Sequence, residues 1–207
     1  MARISDKPQN AIEEIYGRKK ALIGMIHCPA FPGAPRYSGA TREDILSFCL
    51  RDAERLIAGG MHGLLVENHG DIPFSKPEDI GHETAAFMAV VADQVAREFH
   101  VPMGINVLAN APIPAFAVAA ASGASFIRVN QWANAYVANE GFMEGRAAEA
   151  LRYRSRLRAE GIRVFADTHV KHGSHAFGAD RSVTELTRDR AVFDADAVIA
   201  TVQRTGD

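Results

Sequence analysis

The sequence predicts an α/β fold of the (β/α)8 TIM-barrel type that ends after about six βα units, where a complete barrel has eight. Three observations lead there. Strand-like and helix-like stretches alternate at roughly 35 residues per unit. The strands are continuous apolar runs, the mark of parallel strands covered on both faces. Nearly every strand turns polar at its C-terminal end, where the active sites of such barrels are built.

Residues 1–20 form a lead-in with a short helix at 11–16, before the barrel domain of 21–207. ALIGMIHC (21–28) is the first strand, closed by Pro29, and the Pro/Gly-rich loop PAFPGAPRYSGA follows. Thr41 with Asp44 three residues on marks a helix N-cap, opening a helix over 42–58 that closes at Gly59-Gly60. GLLVEN (63–68) is the second strand, and apolar residues at helical spacing give a helix over 82–99. MGINVLA (103–109) is the third strand, 113–122 a small-residue helix, and SFIRVN (125–130) the fourth strand. A loop with Trp132 and Tyr136 leads to a helix over about 145–160. The fifth strand is the stretch RVFADTHVKHGSH (163–175), and a helix over 181–194 precedes the sixth, DAVIATV (196–202).

The alternative architecture, an open doubly wound sheet, lacks its usual phosphate-binding signals. No G-x-G-x-x-G follows the first strand, and G-x-x-x-x-G-K-[ST] occurs nowhere. Side chains alternate faces along a strand, so one face collects a ring of polar groups. It holds His27 above Ile23 and Met25, Glu67 above Leu65, Asn106 above Gly104, and Arg128 with Asn130 above Phe126. The fifth strand adds Asp167, His169 and Lys171 above Phe165.

This ring sets the expected chemistry. Glu67, Asp167, His27 and His169 are the acid/base candidates, and Lys171 is a candidate for Schiff-base or anion chemistry. Asn106, Arg128 and Asn130 are expected to bind a small anionic substrate. Competing readings are structural: Arg128 pairing with Glu67 or Asp167 as a buried ion pair, and the asparagines capping loop backbone. Glu67, Asp167, His27 and His169 are also donors for a divalent metal, although no diagnostic spacing identifies one. Cys49 reads as core, and His172 and His175 as solvated loop residues.

The 207 residues carry a formal net charge of −2, which gives no electrostatic case for nucleic acid or an anionic membrane. No segment approaches the ~20 apolar residues needed to span a bilayer. The N-terminus has no apolar signal region, and Cys28 and Cys49 suit a reducing compartment, so a cytoplasmic protein is expected.

Six segments together resemble one family: MIHCPAFPGAPRY (25–37), GLLVENHGDIPF (63–74), NVLAN (106–110), ASFIRVNQWANAYV (124–137), EGRAAEALRYR (144–154) and ADTHVKHG (166–173). In that order they are similar to the BtpA/SgcQ family over about residues 20–207. The resemblance implies a barrel of the ribulose-phosphate-binding-like group. One branch is named for a factor needed to accumulate photosystem I in cyanobacteria. Another is encoded among sugar phosphotransferase genes and has carried a nucleoside triphosphatase label, which the lack of a P-loop argues against.

The sequence departs from the family where relatives run on with further βα units, and where Gln203 and Arg204 interrupt the expected Gly-containing loop. An early stop or a slip in reading frame is the expectation that covers both. The expected function is an enzyme scaffold for a small phosphorylated sugar-like substrate, of isomerase, epimerase or aldolase type, with loss of activity through truncation as a further expectation. The alternative is a non-catalytic assembly or stability factor working through the aromatic loops at 31–37 and 132–136. An open barrel would leave its first and sixth strands as edges that self-association would cover.

Overall fold

The structure, a computed structural model, describes residues 10–201. Gln203 and Arg204, on which the C-terminal departure was read, lie outside the described residues.

Six parallel strands form one sheet in the order β1 (Ile23–His27), β2 (Gly63–Glu67), β3 (Met103–Asn106), β4 (Phe126–Val129), β7 (Arg163–Thr168) and β8 (Ala197–Ala200). Each neighbouring pair follows in chain order, the arrangement of a barrel wall and not of a doubly wound sheet, whose order reverses at a switch point. Among the described residues β1 pairs only with β2 and β8 only with β7, so these two are the edges, as expected from the sequence.

The connecting helices are α2 (Arg42–Ala58), α3 (His82–Phe99), α4 (Pro112–Ser122), α5 (Ala147–Arg156) and α6 (Val183–Val192). Thr41 and Asp44 close a full capping box on α2: the Thr41 side chain accepts from the Asp44 N–H, and the Asp44 carboxylate accepts from the Thr41 N–H. Helix α2 buries Ile45, Cys49 and Ala53, spaced by four, and α3 buries Met88, Val91, Ala92 and Val95. These stripes meet the outward residues of the strands, Ile26, Leu64, Val66, Ile105, Ile127 and Val164, in the larger of the cores.

The other face of the sheet holds a second core. Leu65, Phe126 and Phe165 fill it, with Phe126 and Phe165 stacked at 4.3 Å between centroids. Gly104 makes that stack possible: a Cβ there would stand 2.3 Å from the Phe126 ring. Below, α1 (Ala11–Tyr16) closes the N-terminal end of this face with Ala11, Ile12, Ile15 and Tyr16. Its start is fixed by Asn10, whose Oδ1 accepts from the N–H groups of Ile12 and Glu13.

Two expectations are corrected here. The loop between β4 and α5 contains a hairpin, β5 (Ala135–Ala138) with β6 (Gly141–Glu144), which had no apolar alternation strong enough to announce it. The fifth strand of the sheet, β7, stops at Thr168. His169 takes a left-handed φ of 56°, which breaks the period-two alternation, so His169 and Lys171 do not share a strand face with Asp167. Among the described residues no helix is long and apolar enough to cross a membrane.

Candidate active site

The register of the sheet puts His27 opposite Glu67 and Glu67 opposite Asn106, so three polar residues stand side by side at the ends of β1, β2 and β3. Asn106 Nδ2 donates to Glu67 Oε2 at 2.6 Å, and His27 Nε2 lies 3.6 Å from Glu67 Oε1. Glu67 is buried, whereas the His27 side chain is half exposed. Burial lowers the His27 pKa; the Glu67 charge opposes this, while His69 and Lys171 add to it.

Arg128 is the keystone of the other half. Its Nε and Nη2 donate to Asp167 Oδ1 and Oδ2, both at 3.0 Å, and its Nη1 is 4.0 Å from Glu67 Oε2. Burial pulls the Arg128 pKa down, but the Asp167 hydrogen bonds and charge, with Glu67, outweigh it and leave the pKa above its usual value. Asn130 Nδ2 adds a contact to Asp167 Oδ2 at 3.2 Å. Behind the strand, the buried Arg190 of α6 donates from Nε to the Asp167 carbonyl and from Nη1 to the Leu186 carbonyl. Burial lowers the Arg190 pKa against the charges of Asp189 and Asp167.

The structure therefore brings His27, Glu67, Asn106, Arg128, Asn130 and Asp167 into one chain of contacts. His169 and Lys171 sit beyond the strand, in the loop over the mouth. There the His169 and His175 rings stack at 4.0 Å, His175 stacks on Tyr136 at 5.3 Å, and His175 Nε2–H donates to the Val170 carbonyl. His175, expected as a solvated residue, is thus half-buried, while His172 is exposed. Lys171 stays near enough for its charge to act on His27. On the opposite side His69 stacks on His27 at 4.5 Å.

Among the described residues no group of three or more His, Cys, Asp or Glu side chains gathers as a metal site, so Glu67, Asp167, His27 and His169 do not form one together. Cys28 and Cys49 are both buried with their sulfurs 3.8 Å apart, and the Cys49 hydrogen bond and burial push the Cys28 thiol pKa well up, the opposite of an activated nucleophile.

Sequence reasoning missed Arg190 and His69 as parts of this site, whereas the Trp132–Tyr136 aromatics read as lids over the mouth. Arg190 carried no visible signal, because its role depends on α6 packing behind β7. His69 follows the end of β2, and Tyr136 stands on β5 of the hairpin inserted after β4, so position alone marks both as residues of the mouth.

The sheet has the fold of known TIM-barrel enzymes: it is similar to 7,8-dihydropteroate synthase from Vibrio fischeri at a TM-score of 0.52 and 12% identity, over 91% of this chain and 63% of that one. An uncharacterized protein of Pyrococcus horikoshii is 40% identical over 90% of this chain and 70% of its own length. The photosystem I biogenesis protein BtpA of Synechocystis is 33% identical over 89% of this chain and 63% of its own. The chain thus spans between 63% and 70% of the length of these three proteins. The BtpA family model matches residues 18–207, and with the sequence identities this shows that the chain belongs to the BtpA family.

Proposed function

We propose that the ring belongs to an enzyme that moves a proton beside the carbonyl of a small phosphorylated sugar-like substrate, with Glu67 as the base. One observation supports this best: the two carboxylates have unequal partners. Asp167 is gripped at both oxygens by Arg128 and touched by Asn130, so it positions the ring and is poorly placed to exchange a proton. Glu67 has one oxygen held by Asn106 and the other turned toward the half-exposed His27, which offers a route for the proton to solvent. The substrate's anionic group is assigned to the mouth loop after β7, which carries Lys171.

The alternative, a non-catalytic assembly factor working through the loops at 31–37 and 132–136, has less support, because their largest aromatics turn inward while Tyr37 stays half-buried. Phe31 and Trp132 are fully buried in the larger core, and Tyr136 is buried under the mouth loop.

The test is exchange of carbon-bound hydrogen for deuterium in a panel of sugar phosphates, run with this protein and with the longer Pyrococcus horikoshii relative. Glu67→Gln is expected to cost about 10²–10⁴ in rate while substrate still binds. Unchanged exchange in that variant overturns the reading, as does no exchange by either protein on any member of the panel.

A further inference from the structure

The ring's asparagines carry more information than their contacts. Asn106 and Asn130 are 1% and 8% exposed, and the Oδ1 of each has no hydrogen-bond partner. Their orientation is fixed by chemistry. Each Nδ2 donates to a carboxylate, Glu67 for Asn106 and Asp167 for Asn130, and flipping either amide would set oxygen against oxygen. Asn106 ends β3 and Asn130 directly follows β4, and the carboxylates to which they donate, Glu67 and Asp167, are the two that Arg128 faces. Buried amide oxygens left unpaired are costly, and a native site keeps them when something else completes them.

What completes them must donate. The neighbouring groups add acceptors, since Glu67 Oε1 stands 3.6 Å from His27, beyond hydrogen-bonding distance. An anion in the ring would meet the Glu67 and Asp167 carboxylates, and the Arg128 charge is already divided between them. An uncharged group bearing several hydroxyls suits the ring; a phosphate does not.

We infer that the ring holds the uncharged, polyhydroxylated part of its ligand, with Asn106 Oδ1 and Asn130 Oδ1 accepting from ligand hydroxyls while any anionic group stays outside the ring. This rests on the ring being a substrate site and deepens it: the two asparagines set specificity by reading hydroxyls, separately from the proton transfer assigned to Glu67. A site built to receive hydroxyls rejects an analogue lacking them far more strongly than one that merely has space for them.

The experiment is calorimetric titration of the protein with ribitol, with pentane-1,5-diol (the same carbon chain without its inner hydroxyls), with inorganic phosphate and with Mg²⁺. Ribitol is expected to bind at least tenfold more tightly than pentane-1,5-diol, and the ribitol affinity to fall at least tenfold in Asn106→Ala and in Asn130→Ala. The comparison of the two alcohols needs no variant, so it decides even where an alanine variant fails to fold.

Equal binding of the two alcohols, no binding of ribitol, phosphate competing with ribitol for the ring, or Mg²⁺ binding that disappears in Asn106→Ala each overturns the inference. Ribitol selectivity without deuterium exchange on any sugar phosphate defeats the proton-transfer reading and leaves this one standing. Exchange that depends on Glu67 but ignores both asparagines does the reverse.

Discussion

Arg128 and Asp167 face each other from adjacent strands in a bidentate pair, Nε to Oδ1 and Nη2 to Oδ2, both at 3.0 Å. Their strands are neighbours in space although the 33 residues from 130 to 162, which carry the hairpin and helix α5, separate Val129 at the end of β4 from Arg163 at the start of β7. Asp167 is fully buried, so its charge has no water to fall back on.

Removing one partner of such a pair leaves an uncompensated buried charge, which costs about 3–5 kcal/mol. Arg128→Met and Asp167→Asn are each expected to lower unfolding free energy by that amount in urea titrations. The double variant is expected to be more stable than the sum of the single losses implies. Strict additivity would show that the two groups do not interact.

Gly104 and Phe126 show how the inner core sets the shape beneath the ring. The residues pair directly in register on β3 and β4, and the phenyl ring occupies the space where a Gly104 side chain would stand. Gly104→Ala is expected to cost about 1–3 kcal/mol through overpacking. Adding Phe126→Leu should recover part of that loss. A Gly104→Ala protein as stable as the parent would mean that the Phe126–Phe165 stack gives way freely.

The parts of this architecture that follow a period were legible in the sequence. Helices α1, α2 and α3 begin and end where spacing, Thr41 and the Gly59-Gly60 pair put them, and inward residues from Ile23 to Asp167 follow from alternation alone. Alternation failed at His169 because it assumes extended backbone, and the left-handed turn there belongs to the loop that bridges Ser174 to Val137 of the hairpin. The partition of Glu67 from Asp167 was hidden for another reason. Periodicity places both at the mouth, but only the neighbouring strand decides which carboxylate receives the guanidinium.

Arg190 supports the same strand end from behind, and its charge is not its main contribution. Its Nε donates to the Asp167 carbonyl at 2.7 Å, tying α6 to the end of β7, while its Nη1 donates at 2.6 Å to the Leu186 carbonyl one turn back on α6 itself. Arg190→Met leaves both carbonyls without that donor and is expected to cost about 1–3 kcal/mol in urea unfolding. Arg190→Lys should not restore it, because an ammonium lacks the planar fork that reaches both oxygens. Full rescue by lysine would mean that a positive charge alone suffices.

The histidines of the mouth give the fold a pH dependence of definite sign. Burial lowers the pKa of His27 and of His175 from the ordinary 6.5, although Glu67 works against it for His27 and the Val170 carbonyl for His175. Well above the ordinary value both rings are neutral whether the chain is folded or not, and stability does not depend on them. As pH falls through about 6.5 the unfolded chain takes up protons that the folded rings still resist, so stability declines toward acid. The decline ends only when pH has passed below the lowered folded values. Urea unfolding from about pH 8 to about pH 5 should therefore show falling stability, with a shallower slope in His27→Gln and shallower still with His175→Gln added. A slope that is unchanged in the double variant would place the acid sensitivity in other groups.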